Sequence, residues 1–148
     1  MRVYLFIFLL LILQIYVAKF FSLWGIIPDI VTVFIVIFAL KNGLSDSLKI
    51  AVFTGVLQDL MYPPGIPVNT ISKSFIVLLV SNIKQKFYYS SISVKFFLIF
   101  VVTAVDTGLK GFITYLSTGI LDFSPVYLAY ILVNFLTFYV VSVFDEIR

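Results

Sequence analysis

At 148 residues, 62% hydrophobic, 11% charged and with a mean hydropathy of +1.18, the chain falls far below the roughly 25% charge of a soluble domain and reads as an integral membrane protein. With no histidine and no cysteine, it lacks the residues for Ser-His-Asp or Cys-His nucleophilic sites, imidazole or thiolate metal sites, haem attachment or disulfides. The net charge of +3 comes from ten basic against seven acidic residues, and the basic residues are scattered singly, unlike the clustered patch that nucleic acid needs.

The first apolar run, Val3 to Trp24, is broken only by Gln14, Lys19 and Ser22, so it is long enough to span and is not expected to be a cleaved signal peptide. Pro28 opens a second helix with Asp29 at the positive end of its dipole, and that run ends at Lys41-Asn42-Gly43. A third helix is predicted from a cap at Ser45 or Asp46 to about Tyr62, where Pro63-Pro64-Gly65-Ile66-Pro67 forbids continuation. The fourth runs from about Asn69 to Asn82. Lys84, Lys86 and Lys95 then bracket a segment with Tyr88 and Tyr89 that reads as a loop or an amphipathic surface segment, with anionic lipid as its natural contact. A fifth helix is predicted over Val94 to Leu116, and a sixth over Val126 to Phe144 after the Asp122-Phe123-Ser124-Pro125 turn.

The expected architecture is therefore all-α: one polytopic transmembrane domain over residues 1–148, with six transmembrane helices and no catalytic domain outside the bilayer. The distribution of positive charge orients it. With the N-terminus cytoplasmic, the inner segments hold Arg2, Lys41, Lys49, Lys84, Lys86, Lys95 and Arg148, and the outer ones hold at most Lys19. Both termini are expected inside, with the turns at 63–67 and 119–125 outside.

Asp59, Lys73, Asp106 and Lys110 fall within predicted spans, where a charge needs a partner, a water-filled cavity or a function. Asp59 and Lys73 lie at similar depth on consecutive antiparallel helices and are expected to pair. Asp106 and Lys110 share one helix face at i,i+4, and Asp29 adds a fifth charge in the same outer half. Thr103, Thr107, Lys110, Thr114 and Ser117 form one polar seam on helix five; Tyr127, Tyr130, Asn134 and Thr137 form another on helix six. Both seams are expected to turn inward, because lipid offers no hydrogen-bond partner. Gly55, four residues before Asp59, gives helix three a small face for close contact. Ion pairs of this kind serve as packing and registry devices, with a ligand pocket or a proton relay as the alternatives. Asp106-Thr107-Gly108 spells the Asp-Thr-Gly of aspartic proteases, but that chemistry uses two loops of a β-rich fold and a pair of carboxylates. This copy is single and lies in mid-helix, so no enzyme activity, metal or cofactor is expected.

The segment from Pro28 to Lys84 carries a family-like pattern: Ile-Pro-Asp-Ile opening a helix, Lys41-Asn42-Gly43 closing it, Thr54-Gly55-Val56-Leu57-Gln58-Asp59-Leu60 ending the next, then Pro64-Gly65-Ile66-Pro67-Val68-Asn69-Thr70-Ile71-Ser72-Lys73. This resembles the bacterial rod shape-determining protein MreD family, with Pro67 a departure from its usual turn. The resemblance implies a non-enzymatic subunit of the cell-elongation machinery in the bacterial inner membrane. Its partner would be MreC and, through the complex, MreB, RodA and a penicillin-binding protein; a second copy of the chain is a further candidate. It also implies a bundle similar to the S components of energy-coupling-factor vitamin transporters, which supplies the alternative function of holding a vitamin. The partner-binding residues expected on this basis are Asp29, Gly55, Asp59, Pro63, Pro64, Gly65 and Lys73. Asp106, Lys110 and Asn134 form the intramembrane polar set.

Overall fold

The computed structural model describes residues 2–21, 29–61, 66–86, 92–119, 131–137 and 139, and these are all-helical apart from short connections. The helices are α1 (Arg2–Phe21), α2 (Ile30–Lys41), α3 (Leu44–Met61), α4 (Val68–Lys86), α5 (Ile92–Thr118) and α6 (131–137). Pro63, Pro64 and Gly65, the segment 87–91, and residues 120–130, which hold most of the expected turn and the expected start of helix six with Tyr127 and Tyr130, lie outside the described residues.

Local chemistry sets the ends. Asp29 stands as the N-cap of α2 rather than inside its first turn: the Thr32 N–H donates to Asp29 Oδ1 at 3.0 Å. At the other end, the Asn42 N–H and side-chain amide both donate to Phe38 O at 2.9 Å. The next helix starts at Leu44, earlier than the Ser45 or Asp46 cap expected, with the Ser47 N–H and hydroxyl both on Gly43 O. Pro67 directly precedes α4, and its carbonyl accepts from the Ile71 N–H at 3.1 Å. This helix continues past the expected end at Asn82, through Lys84 to Lys86, so the start of the segment read as a loop or an amphipathic surface segment is helical.

α4 is the hub, packing against α2, α3 and α5, while α1 lies on α2 and α3. The core is aliphatic: Ile7 and Leu11 of α1, Val31, Ile35, Val36 and Ala39 of α2, Ile50 and Ala51 of α3, Ile76, Val77 and Val80 of α4, and Leu98, Ile99 and Val102 of α5. The sets on α1, α2, α4 and α5 recur at i, i+3 or i+4, the spacing of one helix face, and the α3 pair does so once the buried Ser47, Thr54 and Gln58 are included. Phe96 packs its ring on Phe135 and Tyr139, centroids 4.9 and 5.6 Å away, which ties α6 to α5.

The outer surface is also apolar. Leu5, Leu9 and Tyr16 on α1, Leu60 on α3, Phe75 on α4, Phe97, Phe112 and Leu116 on α5, and Leu132 and Leu136 on α6 all point outward. Among the described residues one stretch, Phe96–Thr118 of α5, is by itself long and apolar enough to cross a membrane.

Candidate functional site

Two polar constructions stand out against this apolar frame, and both centre on an aspartate. The first closes the α3–α4 hairpin. Asp59, in the last turn of α3, accepts from the Asn69 N–H and side-chain amide on Oδ1 at 2.9 and 3.0 Å. Its Oδ2 accepts from the Thr70 N–H and hydroxyl at 2.9 and 2.7 Å. Asn69 and Thr70 are in the first turn of α4, where backbone N–H groups have no partner within the helix and the dipole favours a negative charge. A carboxylate from the preceding helix thus does the work of a cap. One turn earlier, Gly55 lets the two backbones meet: a Cβ there would collide with Thr70 Cα and lie 2.8 Å from Thr70 N. The Gly-x-x-x-Asp spacing is therefore the geometry of a tight crossing plus a cap.

The second construction is a buried charge cluster where the start of α2 and the first turns of α4 meet the middle of α5. Lys73 Nζ and Lys110 Nζ both donate to Asp29 Oδ2 at 3.1 Å, and Lys110 also donates to Asp106 Oδ2 at 2.7 Å. Ser72 donates its hydroxyl to the other oxygen of Asp106, while Asn134 on α6 accepts the Asp29 N–H through Oδ1 at 3.1 Å. Lys73, Asp106 and Asn134 are fully buried and Asp29 nearly so, while the Lys110 side chain keeps 24% of its exposure. The Asp29 carboxylate thus connects α2, α4 and α5, and its backbone N–H adds α6.

These contacts correct the expected Asp59–Lys73 pair. The two residues do lie on adjacent antiparallel helices, but Asp59 turns to the end of α4 and Lys73 turns to Asp29. Four donors with two backbone N–H groups among them satisfy Asp59 fully, whereas Lys73, one turn further into α4, reaches Asp29. The Asp106–Lys110 contact is present and extends to Asp29.

The polar seams turn inward only in part. Thr103 and Asp106 are buried, whereas Thr114 and Ser117 are exposed. Thr107, Ser117 and Thr137 donate their hydroxyls to carbonyls three or four residues back in their own helices. A hydroxyl satisfied in this way has no need of the interior, so a run of threonines does not define a buried face; a carboxylate, with no donor to offer a carbonyl, does.

Three participants carried no sequence signal of their role. Ser72 is one of many serines, and Thr32 is one of several threonines in an apolar run. Lys84 reaches across to α2, donating to Ala39 O at 2.7 Å and to Asn42 O, which places a cation at the negative end of α2. Its sequence signal, a basic residue near an inner helix end, reads equally as membrane orientation.

Among the described residues no group of three or more acidic side chains is arranged to hold a metal ion. Comparison with family models, with curated proteins and with solved structures gave no match.

Proposed function

We propose that the chain is a six-span protein of the bacterial inner membrane with both termini cytoplasmic, and that it works as a non-enzymatic scaffold of the cell-elongation machinery that binds MreC. The observation that carries the membrane reading is the inverted polarity: Leu5, Leu60, Phe97 and Leu116 are each at least 64% exposed while Lys73 and Asp106 are fully buried. In water that arrangement would leave apolar surface hydrated and bury charge for no gain, and in lipid both costs reverse. The scaffold reading draws on the charges being paired internally and on the MreD-like residues setting the helix arrangement, Gly55 and Asp59 in the α3–α4 hairpin and Asp29 and Lys73 between α2 and α4.

Those residues then act on a partner indirectly, by holding the helices on either side of the turn expected at 63–67, which contains Pro63, Pro64 and Gly65. Direct contact is assigned to that turn and to Leu60 and Ile71, which point outward beside it. A proline-rich turn loses little conformational entropy on docking. Copurification from native membranes with mass spectrometry of the eluate tests this reading. MreC should be recovered, Leu60→Ala with Ile71→Ala should weaken its recovery without loss of fold, and Phe8→Leu on the outer face of α1 should do neither.

A vitamin-binding S component is the second reading, favoured by one observation: the cluster around Asp29 holds polar atoms without partners among the described residues, Thr32 Oγ1 and Asn134 Nδ2. A stoichiometric vitamin together with a small ATPase module in the same eluate would decide for it.

A further inference from the structure

The hydrogen bonds around Asp29 do not balance. Asn134 is fully buried, its Oδ1 accepts the Asp29 N–H, and among the described residues its Nδ2 donates to nothing. Rotating the amide would aim a donor at the Asp29 N–H, so the orientation is fixed by chemistry. Thr32 is 2% exposed, its N–H donates to Asp29 Oδ1, and its Oγ1 is likewise without a partner. The hydroxyls of Thr54, Thr107 and Thr137 reach back to a carbonyl of their own helix, whereas Thr32 is in the first turn of α2 and its corresponding carbonyl precedes the helix. Lys73 adds to the excess: an ammonium has three N–H donors, and the one hydrogen bond it makes among the described residues goes to Asp29.

The interior here has donors to spare and needs an acceptor. The acceptor is neutral, because Asp29 and Asp106 already balance Lys73 and Lys110. It is small and oxygen-based, because the groups seeking it are an amide, a hydroxyl and an ammonium, all donors that an oxygen lone pair accepts. We infer that the Asp29 cluster binds a neutral oxygen acceptor, water or the hydroxyl or carbonyl of a small molecule, beside Thr32, Lys73 and Asn134. The inference stands on this accounting alone and does not depend on which partner the protein binds.

Thr32→Val in the whole protein in detergent is the direct test, since valine keeps the shape and the N–H to Asp29 Oδ1 and removes only the hydroxyl. With an acceptor bound, Thr32→Val loses a hydrogen bond and its Tm falls by about 2–4 °C, while Thr32→Ser stays above Thr32→Val. In a dry site the substitution removes an unpartnered buried hydroxyl, so an unchanged or raised Tm overturns the inference. Should the variant fail to fold, the wild type still decides. In bilayers, water-edited solid-state NMR should show fast magnetisation transfer from water to the Asn134 side-chain amide if the acceptor is water. Native mass spectrometry should show a stoichiometric small molecule if it is a ligand. Absence of both signals would overturn the inference.

Discussion

Asp29 is bonded to two lysines, an asparagine and its own helix at once, and that makes it the residue whose loss should matter most. Removing one side of a buried pair strands the other charge, which costs about 3–5 kcal/mol in soluble proteins, whereas removing both sides costs much less than the sum. Asp29→Asn and Lys73→Met should therefore each lower detergent stability strongly and be far from additive in a double-mutant cycle. Asp59→Asn combined with Lys73→Met should give additive losses, because the two aspartates belong to separate networks. Coupling between Asp59 and Lys73 with none between Asp29 and Lys73 would contradict the contacts described here.

That exchange of partners shows how much was legible at this scale. Lys73, Asp106 and Lys110 are visible in the sequence as charges in apolar runs, and Asp106 to Lys110 is readable because helix geometry alone fixes an i,i+4 neighbour. The partner of Lys73 is not readable in that way. Asp29 is 44 residues away, and its approach depends on how α2 lies against α4, which no local pattern encodes.

At the scale of elements, the α3–α4 hairpin rests on Gly55 for contact and on Asp59 for the cap. Gly55→Leu has no room, because the obstructing atoms are Thr70 backbone rather than a movable side chain. It should separate the helices, with a large fall in Tm and in folded yield. Asp59→Ala leaves Asn69 and Thr70 N–H groups without their acceptor and should cost about 0.5–2 kcal/mol, the usual range for a lost cap. Lys84→Met should cost less, about 0.3–1 kcal/mol, because its charge acts only on the end of α2. Thermal unfolding of the three variants in one detergent would rank them, and Asp59→Ala milder than Lys84→Met would contradict the capping role. Helix boundaries were legible to within a turn where Gly43 and Pro67 punctuate the chain. The extension of α4 through Lys84 was not, because a lysine facing a neighbouring helix end looks the same in sequence as one facing water.

For the whole molecule, the described helices form a bundle with charges inside and apolar side chains outside, and the proposed six-span topology puts seven basic residues on the cytoplasmic side: Arg2, Lys41, Lys49, Lys84, Lys86, Lys95 and Arg148. The chain contains no cysteine, so single cysteines introduced at Ser45, Ser90, Gly65 and Ser124 report sidedness without background. In intact spheroplasts treated with a membrane-impermeant thiol reagent, the account predicts labelling at positions 65 and 124 and protection at positions 45 and 90 until the membrane is opened. Labelling of 45 or 90 from outside, or protection of both 65 and 124 while a known external control is labelled, would contradict the six-span arrangement and the scaffold built on it.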